Sequence, residues 1–182
     1  MGSEREILTV GHSNHELEKF LALLRGAGVE LLADVRRHPG SRRLPHFERS
    51  ALAGALKEVG IDYAWLGESL GGRRRPAPDS PNDGWESEQF RGYADHMTSP
   101  EFADGLRELE RLAGERLTAV MCAEGWWVRC HRRLIADALV ARRWPVHHLG
   151  ADGRTHPHRL TEFAVVSGGA VRYPASQTSL GL

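Results

Sequence analysis

The chain has 182 residues, 41% of them hydrophobic, with 24 basic and 24 acidic side chains and therefore no formal net charge. That length suits one globular domain with a real core, and the balance excludes both an acidic tail and a uniformly basic nucleic-acid glove. No run approaches the roughly 18 apolar residues that mark a membrane-spanning helix. Met1-Gly-Ser-Glu-Arg-Glu6 lacks the basic-then-apolar build of a signal peptide, so a cytoplasmic location is expected. Cys122 and Cys130 are then thiols in a reducing compartment, too few for a disulfide framework.

Residues 6–10 are a short apolar run closed by Gly11-His12-Ser13-Asn14, which reads as a strand followed by a helix start. Leu17, Phe20, Leu21 and Leu24 recur near helical spacing until Gly26 and Gly28 stop the helix. A second buried strand over 31–35 ends in a loop rich in Arg, His, Pro and Gly, and a helix covers 50–59. A third strand, 63–66, leads into a long irregular loop over 67–84, a length that usually signals function or disorder. Two helices follow, over 86–97 and 100–113, the second with Pro100 at its first turn. The continuous apolar run 117–122 reads as a strand buried on both faces. An amphipathic helix over 129–143 and a fifth strand over 146–149 complete the alternation.

The expected fold is therefore α/β: a mostly parallel sheet flanked by helices in a three-layer, Rossmann-like arrangement. Residues 1–150 form the domain. Residues 151–182 are an extension of it, with a possible hairpin around Gly168-Gly169 and a frayed end.

In open α/β sheets ligands bind beyond the carboxyl ends of the strands. Strand one delivers His12 and Ser13 there, strand two Asp34 and Arg36, and strand four Cys122 and Glu124. The helix after strand four opens with Arg129-Cys130-His131-Arg132. The arginines cluster too. Residues 34–50 carry a local charge of +3, residues 73–75 another +3, and residues 129–143 +4. Zero net charge is thus compatible with a basic face on a neutral body.

Thr9-Val-Gly-His-Ser13 and Asp34-Val-Arg36 with Pro39 and Ser41-Arg42 are followed by Tyr63 through Leu70-Gly71-Gly72. Met121-Cys-Ala-Glu124 through Cys130-His131-Arg132 come last. Together, and in this order over residues 6–150, these motifs resemble the family called domain of unknown function 488. The resemblance implies a bacterial, cytoplasmic protein, and some members carry loose DNA-repair labels. It implies candidate residues without a reaction, and residues 151–182 lie outside it.

Each candidate has two readings. Asp34 beside Arg36 is either a structural ion pair or a catalytic carboxylate, and Glu124 is either a general acid/base or a local cap. Cys122 reads as a small core residue or a nucleophile. Cys130, at a helix N-terminus between Arg129 and His131, has the surroundings that stabilise a thiolate, or is a buried capping thiol. Arg42, Arg73, His131 and Arg132 suit phosphate contact or loop capping. Trp126 and Trp127 suit base stacking or cover for the sheet edge. The spacing of Cys122, Cys130, His131 and His12 matches no familiar zinc pattern, so neither metal nor cofactor is expected.

Three functions remain open at this level. The leading expectation is a nucleic-acid or nucleotide enzyme that releases a base by cleaving its N-glycosidic bond. Asp34 and Glu124 would be catalytic, and His12, Ser13, Arg36, Ser41, Arg42, Gly71, Gly72, Arg73, Trp126, Trp127, Cys130, His131 and Arg132 would hold DNA or a nucleotide. The second is a thiol enzyme using Cys130 or Cys122, with His131 or His12 as its base. The third is a non-catalytic nucleotide sensor.

Overall fold

The computed structural model describes residues 5–176. The opening four residues and the C-terminal end expected to fray lie outside the described residues. Five strands run parallel: β1 (Ile7–Gly11), β2 (Leu31–Asp34), β3 (Asp62–Trp65), β4 (Thr118–Cys122) and β5 (Val146–Leu149). A sixth, β6 (Thr155–Pro157), pairs antiparallel with β5, giving the order β3-β2-β4-β1-β5-β6. The sequence carries no sign of β6, because a three-residue edge strand of Thr, His and Pro has no apolar alternation to reveal it.

Helices cover both faces, and the two-residue period of the strands decides which side chains meet them. Leu8, Val10, Leu32, Ala119 and Met121 pack against Phe20 and Leu24 of α1 (Leu17–Gly26) and Leu52 and Leu56 of α2 (Arg49–Glu58). Between β3 and the next long helices lies α3 (Gly67–Leu70), a single turn where the sequence suggests continuous loop. On the opposite face Ile7, Leu31, Ala33, Val120 and Val146 meet α4 (Glu88–His96), α5 (Pro100–Glu115) and α6 (Arg132–Ala141). Caps set several helix starts: Glu48 accepts from the amides of Ser50 and Ala51, Ser87 from Phe90 and Ser99 from Phe102.

The expected C-terminal hairpin forms as β7 (Val165–Ser167) and β8 (Ala170–Arg172). Its turn, Gly168-Gly169, has φ of 58° and 79°, the left-handed values that a tight hairpin requires. Val171 and Tyr173 are buried with α6, so this segment completes the second core. Among the described residues no helix is long and apolar enough to cross a membrane.

The topology makes one crevice. From β1 the chain leaves through α1 towards β2, and from the adjacent β4 it leaves through α6 towards β5 on the other face. The two loops diverge at the carboxyl ends of neighbouring strands, a switch point of the kind where α/β sheets open a ligand site. Gly11 ends β1 there, and a Cβ on it would run into the Glu124 carbonyl of the facing loop.

Gly11→Ala is therefore expected to destabilise the protein severely, with loss of soluble expression or a collapsed thermal transition. Gly114→Ala, within α5 and with open space around its Cβ position, is expected to add about 0.5–1 kcal/mol to the unfolding free energy in urea. Equal effects of the two substitutions would contradict the packing described.

Candidate active site

A cavity of about 770 Å³ opens at this crevice, floored by the loops after β1, β2 and β4 and by the start of α6. All three arginine-rich segments reach it, through Arg36, Arg37 and Arg43, through Arg73, and through Arg129. Several of their other arginines serve the fold. Arg49 stacks on Trp65, Arg133 lies over Trp85, Arg142 pairs with Glu110, and Arg74 donates to the carbonyls of Glu68 and Gly71. Among the described residues Glu124 is the one carboxylate lining the cavity, so its field favours anions. Ser13 and Arg73, both in its wall, hold positive φ (47° and 60°) that non-glycine residues adopt at a cost of about 1–3 kcal/mol.

Asp34 does not reach this space. It is fully buried, and its carboxylate accepts from the Arg36 amide (3.0 Å), Arg36 Nε (2.9 Å), Arg36 Nη2 (2.6 Å) and the Tyr63 hydroxyl (2.6 Å). Burial, then the bond to Asp34, pushes the Tyr63 phenol well above its usual range, so that proton stays in place. Arg36 Nη1 donates onward to the Phe47 carbonyl (2.7 Å) and to Nε2 of His12 (3.3 Å). His12 thus has its Nδ1–H on the Ser13 carbonyl (2.8 Å) and its Nε2 lone pair on Arg36. Burial and the neighbouring Arg36 bring it down to about 4. Asp34, Arg36 and His12 are a saturated brace under the cavity, with no free acid or base.

The sulfurs lie on the other side of the floor. Arg132 is almost wholly buried, and among the described residues no carboxylate pairs with it. Its Nε donates to Cys122 Sγ (3.0 Å), Nη1 to Thr9 Oγ1 (3.1 Å) and Nη2 to the Glu124 carbonyl (2.6 Å). Its backbone amide, at the N-terminus of α6, donates to Cys130 Sγ (3.4 Å). Both sulfurs thus bond to the one residue, Cys122 to its guanidinium and Cys130 to its amide.

Burial alone would hold both thiols protonated, and it does raise Cys122 well above the ordinary range. For Cys130 burial is outweighed by the bond from Cys122 and by the Arg132 guanidinium and amide, which bring it down to about 7. His131 completes the group. Its Nε2 faces the Val35 carbonyl (3.3 Å), which only accepts, so the neutral ring carries its proton there and presents the Nδ1 lone pair to Cys130 Sγ at 3.7 Å. Burial keeps His131 neutral. Of the two candidate bases, geometry selects His131.

Behind Arg132 runs a buried chain that sequence reasoning missed. Thr9 Oγ1 meets His148 Nδ1 (2.6 Å), His148 Nε2 meets His158 Nδ1 (2.9 Å), and His158 Nε2 meets Asp137 Oδ1 (2.8 Å). Arg132 Nη1 donates to the same Thr9 hydroxyl, so the contacts run unbroken from Arg132 through Thr9, His148 and His158 to Asp137. Burial, then His158 and Arg132, lowers His148 to about 3. Thr161 and the Tyr173 hydroxyl (2.8 Å) also donate to Asp137. The sequence signals were faint: Asp137 on the apolar face of α6, and His148 in a strand.

The remaining candidates divide. Ser13, Ser41 and Gly72 line the cavity, with Gly72 against the His131 ring and the Ser41 hydroxyl capping Leu44. Glu124 is exposed and accepts from the Trp126 amide (3.2 Å), a local cap within the cavity wall. Gly71 is packed against Gly67 and Arg37. Arg42 and Trp126 are exposed outside the cavity lining, Trp126 at 65%. Trp127 stacks on His148 at 3.9 Å and covers the buried chain. Among the described residues no three His, Cys, Asp or Glu side chains converge as metal ligands would.

The chain belongs to the family described as domain of unknown function DUF488, whose profile matches residues 16–139. That span holds Asp34, both cysteines, His131 and Arg132, and leaves out Thr9, His148 and His158. Neither a curated protein nor a solved structure matches the chain.

The two carboxylates are expected to differ sharply on substitution. Asp34→Ala leaves Arg36 buried without its partner and should lower the unfolding free energy in urea by about 3–5 kcal/mol. Glu124→Gln keeps an exposed acceptor for the Trp126 amide and should stay within about 0.5 kcal/mol of wild type. A near-neutral Asp34→Ala would show that the brace is not structural.

Proposed function

We propose that this protein is a cysteine-dependent enzyme in which the Cys130 thiolate attacks a small anionic electrophile held among Arg37, Arg43, Arg73 and Arg129. The observation that carries this reading is the placement of Arg132. A buried guanidinium is costly without a counter-charge, and here it donates to Cys122 Sγ while the amide of the same residue donates to Cys130 Sγ, with no carboxylate paired to it among the described residues. A thiolate at Cys130 supplies that charge, and the same position exposes it to whatever enters the cavity.

Each surrounding group then has a task. Arg132 and the amide at the start of α6 stabilise the thiolate. His131 Nδ1 accepts the thiol proton in the fraction of molecules where Cys130 is protonated, and can return it to a leaving group. The arginines of the rim bind the negative end of the substrate and orient its electrophilic centre. The Arg36–Asp34 brace keeps the β1 and β2 loops apart so that the cavity stays open.

The base-releasing reading has less support, because it needs two available carboxylates. Asp34 has its oxygens engaged beneath the floor, leaving Glu124 by itself in the wall. The arginine rim and the cavity volume suit a nucleotide as well as other anions.

Alkylation by iodoacetamide tests the proposal. The rate at Cys130 should rise with pH as the thiolate forms, with a midpoint at about 7, and level off above it. An ordinary cysteine would instead keep rising through roughly 8.5. Cys130→Ser should abolish the low-pH phase and leave the slowly reacting Cys122. A midpoint at or above the ordinary value in folded wild-type protein would sink the reading.

A further inference from the structure

Nucleophilic attack by Cys130 leaves one group at the site without a task, and that group is Cys122. It ends β4, lines the same cavity, and is held between Arg132 Nε (3.0 Å) and the Glu124 carbonyl (3.7 Å). Cys130 lines the same cavity, and both sulfurs bond to the one arginine, Cys122 to its Nε (3.0 Å) and Cys130 to its backbone amide (3.4 Å). Two thiols so placed form a dithiol in which one partner is activated and the other held in reserve. A purely structural Cys122 would need no access to the cavity and no polar partner. It has both.

We infer that Cys122 and Cys130 are a redox couple and that the anionic electrophile is a small disulfide bearing carboxylate or phosphate groups. This rests on the reading of Cys130 as the nucleophile. In the first step Cys130 S⁻ attacks one sulfur of the substrate R–S–S–R. A Cys130–S–S–R bond forms, the substrate bond breaks, and R–S⁻ departs. In the second, the Cys122 thiol gives its proton to the departing thiolate and attacks Cys130 Sγ. The Cys122–Cys130 disulfide forms and the second half of the substrate leaves as R–SH. The substrate gains two electrons and the protein dithiol loses two, so this half-reaction needs no further reactant. Return to the dithiol takes an external dithiol reductant.

The arginine rim gives the substrate class. The lining has five arginines, Arg36 among them as part of the brace, against Glu124. A dianionic disulfide finds charge partners for its ends, whereas a neutral one gains nothing from the rim.

Reduced full-length protein should be mixed with a modest excess of dithiobis(nitrobenzoate), an aromatic disulfide with two carboxylates, and followed by released thiolate and intact mass. Wild type should release two thiolates per chain and end two hydrogens lighter than the dithiol, with no adduct. Cys122→Ser keeps an acceptor for Arg132 and should release one thiolate and retain one adduct on Cys130. Wild type ending with stable adducts would overturn the redox couple and leave the nucleophile intact. If Cys130 in wild type reacts no faster than in the urea-unfolded chain, the nucleophile reading itself falls, and the couple with it. For the substrate class, dithiodipropionate should react at least about tenfold faster than neutral bis(hydroxyethyl) disulfide, and the gap should close with salt. Equal rates would remove the anionic assignment.

Discussion

The structure depends on one buried charge, the guanidinium of Arg132. A cation removed from water must be met by polar partners on every side, and here those partners come from two neighbouring strands. Cys122 and the Glu124 carbonyl come from the end of β4 and Thr9 from the middle of β1, while the amide of the same arginine holds Cys130, just before α6. The position of α6 over the sheet and the position of the sulfurs are therefore set by the same bonds. A displacement of the helix would leave the cation unsatisfied, which gives the cavity floor its rigidity.

The counter-charge arrangement explains two features together. Among the described residues no guanidinium pairs with the buried Asp137 and no carboxylate pairs with the buried Arg132. Thr9, His148 and His158 join them by an unbroken run of hydrogen bonds, so opposite charges at the two ends polarise the chain between them. His158, Thr161 and Tyr173 belong to the C-terminal extension, beyond the family match. That extension completes the electrostatics of the site, although none of its residues lines the cavity.

The second basic brace, Arg36 on Asp34, works differently. Its charges are adjacent and mutually satisfied, so it contributes form without reactivity. Two buried arginines of one fold thus have opposite consequences. One is neutralised by a carboxylate and holds loops in place. The other is left with thiols, and its charge is available to ionise one of them.

Sequence periodicity by itself determined the five parallel strands, the helices on both faces and the Gly168-Gly169 hairpin, since each follows from local apolar patterning and turn chemistry. It also placed His12, Asp34, Cys122 and Cys130 at one sheet edge, because a strand's end is legible where its apolar run stops. Cys130 stood out on local grounds, a helix N-terminus flanked by Arg129 and His131. What only the tertiary structure decided is which of those edge groups are free. The saturation of Asp34 depends on Tyr63, and the setting of Cys130 depends on Cys122 and Arg132. The chain behind Arg132 joins Thr9 to Asp137 through His148 and His158. Hydrogen-bond satisfaction is a property of neighbours in space, and residues so far apart in sequence leave no periodic trace of it. The zero net charge meets the same limit: composition allowed a one-sided basic site, and folding brought Arg37, Arg43, Arg73 and Arg129 to one rim.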